Sequence, residues 1–85
     1  MKERDLMEYN KDRVDEMILA LLYLTSSHDK YGTRAWKGMD WGAMDRLYKK
    51  GYISDPKGKA VSVVLTEAGA RLSKKLFFKH FEAKE

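Results

Sequence analysis

The stretch from Lys50 to Gly69, KGYISDPKGKAVSVVLTEAG, constrains the fold more than any other part of the chain. Gly51 follows a helical pattern and tolerates the left-handed backbone that ends helices. Tyr52 and Ile53 open a strand. Asp55-Pro56-Lys57-Gly58 carries turn chemistry, with proline presetting φ and glycine free to take positive φ, so the chain reverses and pairs with Val61 to Leu65. Thr66 caps a further helix, Glu67 favours its positive end, and Gly69 lets the first turn pack close to the sheet. A helix, a hairpin with a lysine-bearing tip and a second helix therefore follow one another, and the fold class is α+β.

A chain of 85 residues with one proline holds one domain and one small core, near the size at which stability is marginal without disulfides, metal or a partner. It has no cysteine, which excludes disulfides and Cys-containing metal sites. With 44% hydrophobic and 35% charged residues it is too apolar to stay disordered. The longest apolar run, Met17 to Leu24, has eight residues, against the roughly 20 that a membrane span needs, so it reads as a core helix and no membrane partner is expected. No apolar stretch of secretory length follows Met1 to Asp5, which leaves the cytoplasm as the expected location.

The net charge of +4 is unevenly placed. Residues 1–16 carry four Lys or Arg against six Asp or Glu, and residues 17–85 carry thirteen against seven. Between positions 46 and 59, Arg46, Lys49, Lys50, Lys57 and Lys59 face Asp55 alone. Such a patch attracts polyanions through counterion release without reading their sequence. It would equally keep a small protein soluble.

Residues 1–11 read as a frayed arm or an extra helical turn before a single domain spanning residues 12–85. Asp12 is a plausible cap for a helix from about Arg13, with Asp15 and Glu16 at its positive end. Val14, Met17, Ile18, Leu21 and Leu22 form its apolar stripe, which Leu19, Ala20, Tyr23 and Leu24 widen beyond one face into a nearly surrounded helix, and Thr25-Ser26-Ser27-His28 ends it, since hydroxyls compete for the backbone. Tyr31 to Met39, with glycines near both ends, predicts one short helical turn pinned by Trp36. Asp40 caps a third helix, Trp41 to Lys50, with Trp41, Met44, Leu47 and Tyr48 inward and Gly42, Asp45, Arg46, Lys49 and Lys50 outward. The last helix runs from about Glu67 to Ala83 with Ala68, Leu72 and Leu76 inward. Phe77, Phe78 and Phe81 add apolar surface beyond that stripe, to be covered by the first helix or by a second copy, and Val64 stands as an apolar exception on the outer face of its strand.

Val14-Asp15-Glu16 through Tyr23-Leu24, Trp36-Lys37-Gly38-Met39-Asp40-Trp41, Arg46-Leu47, Lys50 to Pro56 and Lys59 to Gly69 resemble a small bacterial family of uncharacterised single-domain proteins, domain-of-unknown-function family 6429. The resemblance spans residues 12–81 and transfers no activity. At fold level, the order helix, glycine, strand, wing, strand and Leu-Thr-x-x-Gly is similar to winged-helix transcription regulators. It implies three amino-terminal helical elements, a β-hairpin wing and a carboxyl-terminal helix. In those regulators the start of the third helix presents hydrogen-bonding side chains to base edges. Here that stretch is Trp41, Gly42, Ala43 and Asp45, so Arg46 alone is placed to contact a base.

Catalysis is not expected. His28 and His80 fit no metal-binding repeat, the glycines make neither a dinucleotide nor a P-loop fingerprint, and no cofactor, metal or small-molecule substrate is indicated. Trp36 and Trp41 flank Gly38, which would suit a flat ligand, yet a domain this small needs large anchors, so both read as core. Lys57 and Lys59 at the wing suit phosphate contact, and equally suit protection of a hairpin edge. Two functions follow. One is nucleic-acid binding as a DNA-binding regulator, with Arg46, Lys49, Lys50, Lys57 and Lys59 on the phosphates of double-stranded DNA. The other is a protein-interaction or homodimerisation module using Val64, Phe77, Phe78 and Phe81.

Overall fold

The computed structural model describes residues 8–83, so residues 1–7 of the arm expected at residues 1–11 lie outside the described residues, and Lys11 belongs to the first helix instead. Asn10, not Asp12, caps the first helix, accepting the Arg13 N–H at 3.0 Å, and α1 runs Lys11–Thr25. Its end is as expected. The Ser26 hydroxyl donates to the Tyr23 carbonyl at 2.8 Å and withdraws it from the helical ladder.

The segment after α1 departs from the expected helical turn. Ser27–Asp29 (β1) and Gly32–Trp36 (β2) form an antiparallel hairpin, so two helices rather than three precede the wing. Two local features outweigh the helical reading. The Asp29 carboxylate accepts the Tyr31 N–H at 2.8 Å, and Gly32 takes φ 122°, which an L side chain rarely adopts. The long-range cause is the strand Ser62–Leu65 (β3), whose exposed edge β2 fills from Thr33 opposite Leu65 to Trp36 opposite Ser62.

The helix Trp41–Lys49 (α2) starts on Asp40, which accepts the Ala43 N–H at 3.0 Å. It stops at Gly51 with φ 85°, the Gly51 N–H donating to Tyr48 and the Tyr52 N–H to Leu47, the paired bonds of a Schellman cap. The predicted two-stranded arm forms in short. Ile53 lies opposite Leu65, and Ser54 and Thr66 donate to the carbonyls of Val64 and Tyr52. The sheet runs β1-β2-β3, with Tyr52 to Ser54 alongside the free edge of β3.

Thr66 caps the last helix, Glu67–Phe81 (α3), by accepting the Gly69 N–H at 3.0 Å, while its own hydroxyl donates to the Gly51 carbonyl at 2.7 Å. One threonine thus ties the stop of α2 to the start of α3. A Cβ on Gly69 would overlap the Tyr52 carbonyl, so the close approach read from the sequence holds. α3 ends at Phe81 rather than Ala83.

Ala35, Val63, Leu65 and Ile53 meet Leu19, Leu22, Met44, Leu47 and Leu76 in one core, which places the three helices on one face of the sheet. The buried faces are turned from those expected. α1 buries Asp15, Leu19, Ala20 and Leu22, α2 buries Ala43, Met44 and Leu47, and α3 buries Gly69, Ser73 and Leu76 while Ala68 is exposed. Small and polar residues let the helices close up: the buried Ser73 hydroxyl donates to the Leu19 carbonyl at 2.7 Å, joining α3 to α1. No helix among the described residues is long and apolar enough to cross a membrane.

Candidate nucleic-acid interface

Five cations were the candidate phosphate contacts, and the structure divides them. Arg46 on α2 and Lys50 at its carboxyl-terminal cap lie one helical turn apart on the side that meets α1, Arg46 partly covered and Lys50 still exposed. Arg46 Nε donates to both oxygens of Asp15, at 2.9 and 2.8 Å, with Nη2 2.7 Å from Oδ1. Lys50 Nζ donates to Asp15 Oδ2 at 3.0 Å and to Asp12 Oδ1 at 2.9 Å. Only 1% of Asp15 is exposed, so its charge is neutralised by these partners and not by water.

The titration shifts follow from this contact. Burial opposes ionisation of Asp15, but hydrogen bonds from Arg46 and Lys50 and their charges outweigh it, holding the carboxyl below its ordinary range. The bond to Asp15 raises the Arg46 pKa, and bonds to Asp12 and then Asp15 raise that of Lys50. The outward placement expected of Arg46 is therefore corrected, whereas Lys50 keeps its expected exposed position while pairing with Asp15. Both side chains are spent joining α2 to α1.

Lys49 keeps the expected exposed position and pairs with Asp45 at 3.1 Å. Lys57 and Lys59 are exposed on the wing, which is better braced than the sequence suggests. Asp55 accepts the Lys57 N–H at 2.9 Å, and Lys37 Nζ donates to the carbonyls of Pro56 and Gly58 at 2.7 and 2.9 Å. The Lys37 N–H also donates to Val61, extending the β2–β3 ladder toward the tip. Lys37 was missed because its role depends on a contact about twenty residues away, which no local pattern records.

The tryptophans depart furthest from expectation. Trp36 is 52% and Trp41 77% exposed, so neither is the core anchor that their size suggested. β2 alternates, and Ala35 takes the inward position beside Trp36. The Trp36 indole folds over Gly38, where a Cβ would overlap it. On Gly38's other flank, Trp41, Lys37, Met39, Met44 and Pro56 complete a pocket of about 240 Å³. Pro56, on the same loop as the exposed Lys57 and Lys59, thus shares a largely apolar slot with the Trp41 indole.

The proposed interaction residues also separate. Phe77, Phe78 and Phe81 join Tyr23 of α1 in one ring cluster, with centroid separations of 5.1 Å from Tyr23 to Phe77 and 5.4 Å from Phe77 to Phe81. Phe78 and Phe81 remain 42% and 43% exposed, so α1 covers the cluster only in part. Val64 is on the other face of the sheet, opposite Arg34, and belongs to a different surface.

No solved structure matches the chain. It is 45% identical over 75 residues, 88% of this chain and 97% of the relative, to "Uncharacterized protein y4hR" of Sinorhizobium fredii (strain NBRC 101917 / NGR234). The family described as Domain of unknown function (DUF6429) matches residues 10–83, from the Asn10 cap of α1 to just beyond α3. The chain belongs to the DUF6429 family.

Proposed function

We propose that this protein binds nucleic acid through its wing, as a small cytoplasmic binding protein rather than an enzyme. The scaffold on this reading is a modified winged helix, with the wing and its two flanking helices retained and the β1–β2 hairpin in place of a second helix. The observation that carries the proposal is the bracing of the wing. Lys57 and Lys59 are exposed on a loop held at two carbonyls by Lys37, so two cations are presented with little ordering left to pay for on binding. Phosphate contacts of this kind position a protein without specifying sequence. The loss of Arg46 and Lys50 to Asp15 favours backbone contact over base reading by α2.

Nucleic-acid affinity of the full chain that falls steeply as salt rises, and weakens across all sequences in the double charge reversal Lys57→Glu and Lys59→Glu, is the expected result. Absence of binding to any nucleic acid at low salt would remove the proposal. A second reading is favoured by the half-exposed Phe78 and Phe81: a dimerisation or protein-interaction module on the same scaffold. It requires a dimer in light scattering that becomes a monomer when both phenylalanines are replaced by serine.

A further inference from the structure

Trp41 presents most of its indole to solvent at the first position of α2, where the Asp40 cap fixes the backbone beneath it. Across from it, Pro56 is held by the Lys37 bond to its carbonyl. Met39 and Met44 line the same pocket, and Gly38 brings bare backbone to its wall. The volume of about 240 Å³ is below the 300 to 1,000 Å³ of sites that take whole drug-sized molecules, which restricts the occupant to one ring system. Lys57 directly follows Pro56 and Lys59 lies three residues beyond Pro56, both exposed, so two cations are on the same loop as the slot's proline wall. The nearby carboxylates keep their charge but are each turned to a backbone N–H. Asp40 accepts the Ala43 N–H and Asp55 the Lys57 N–H.

An indole face, a proline wall and cations within one loop of them are the components of a stacking platform with an electrostatic track. Duplex DNA cannot use such a slot, because its bases are stacked within the helix. We infer that the pocket between Trp41 and Pro56 takes one unpaired base of single-stranded DNA, with the neighbouring phosphates on Lys57 and Lys59. Thymine fits best. Met39, Met44 and Pro56 surround the base position with apolar groups suited to its methyl, and the slot's polar side-chain groups are the Lys37 ammonium, which already donates to two carbonyls, and the Trp41 indole N–H, neither of which accepts a hydrogen bond from a ribose hydroxyl. This inference rests on the nucleic-acid reading above and specifies its substrate.

The test uses the full chain with short oligothymidylate, oligouridylate and a mixed-sequence duplex, followed by tryptophan fluorescence and by anisotropy of labelled strands. Oligothymidylate should bind most tightly and quench tryptophan emission. Trp41→Ala should weaken it by about 5- to 150-fold, the range for losing one base stacked on an aromatic ring. Because Trp41 is exposed, its urea midpoint should be unchanged, which separates lost binding from lost fold. Lys57→Glu with Lys59→Glu should reduce the slope of log affinity against log salt by about 1.4, at roughly 0.7 per phosphate for a single strand. Duplex binding as tight as oligothymidylate, with Trp41→Ala silent, would overturn the inference and leave the wing proposal standing. Equal affinity for oligouridylate would overturn the choice of DNA, and failure of every nucleic acid would remove both.

Discussion

The seam between α1 and α2 and the face beside the wing invert each other. At the seam a carboxylate expected to serve a helix start meets a guanidinium and an ammonium expected in solvent, and the three join two helices. Beside the wing, two indoles stand in solvent where core anchors were expected. Both regions draw on α2, which lies with Ala43, Met44 and Leu47 inward, and this orientation explains both departures. A helix that turns Ala43 inward carries Arg46 and Lys50 toward α1 and swings Trp41 out. The seam therefore fixes how the slot is displayed, and the two regions should respond to mutation in opposite ways.

The largest effect is expected at Asp15. Removing Asp15 breaks charge-assisted hydrogen bonds to Arg46 and Lys50, each about 1.5 to 3 kcal/mol, although the two cations, 26% and 36% exposed, can then turn to water. Asp15→Ala should lower unfolding free energy by that order in urea, a large fraction of the stability of so small a domain. If Asp15→Ala is as mild as Trp41→Ala, the contrast between the regions fails.

The same carboxylate sets a pH dependence whose sign follows from its shift. A folded pKa held below the ordinary carboxylate value of about 3.9 contributes stability that is complete above that pH and is lost as pH falls through the lower folded value. Lys50, raised in the fold, contributes below its ordinary value of about 10.4 and loses that contribution as pH rises through the higher folded one. The urea midpoint should thus fall at both extremes. In Asp15→Asn the acid arm should flatten, and a full acid arm in that variant would show that other carboxylates carry it.

A smaller loss is expected at Gly69→Ala, where the new methyl would press on the Tyr52 carbonyl. Forcing a methyl into a packed contact costs about 1 to 3 kcal/mol, and the midpoint should drop accordingly. That contact was legible in advance because it depends on local signals: a Leu-Thr-x-x-Gly capping pattern following a glycine stop and a proline turn. The caps Asp40 and Thr66 and the end of α1 were legible for the same reason. Asp15 was not, since an acid in the first turn also suits the helix dipole, and only its spacing with Leu19 and Leu22 marks the buried face. The β1–β2 hairpin was masked by Trp36, whose bulk suggested an anchor, and its pairing with β3 lies beyond any local window. Slot and seam are tertiary products, each needing a partner from a distant segment.

The smallest effect sharpens the comparison most. Lys49 and Lys50 are neighbours in sequence and both contact aspartate, yet Lys49 Nζ meets Asp45 at 3.1 Å with 72% of its side chain exposed, while Lys50 reaches the buried Asp15. A double-mutant cycle of Lys49→Ala with Asp45→Ala should give a coupling of about 0.2 to 0.5 kcal/mol, the value for an i,i+4 pair on a helix surface. Raising salt to about 1 M shortens the screening length to about 3 Å and should erase it. The corresponding cycle for Lys50 and Asp15 should retain most of its coupling in the same salt, because there is little room for counterions at a buried carboxylate. Equal salt sensitivity in the two cycles would mean that the seam is as wet as the surface, and that the orientation of α2 is set by its apolar residues alone.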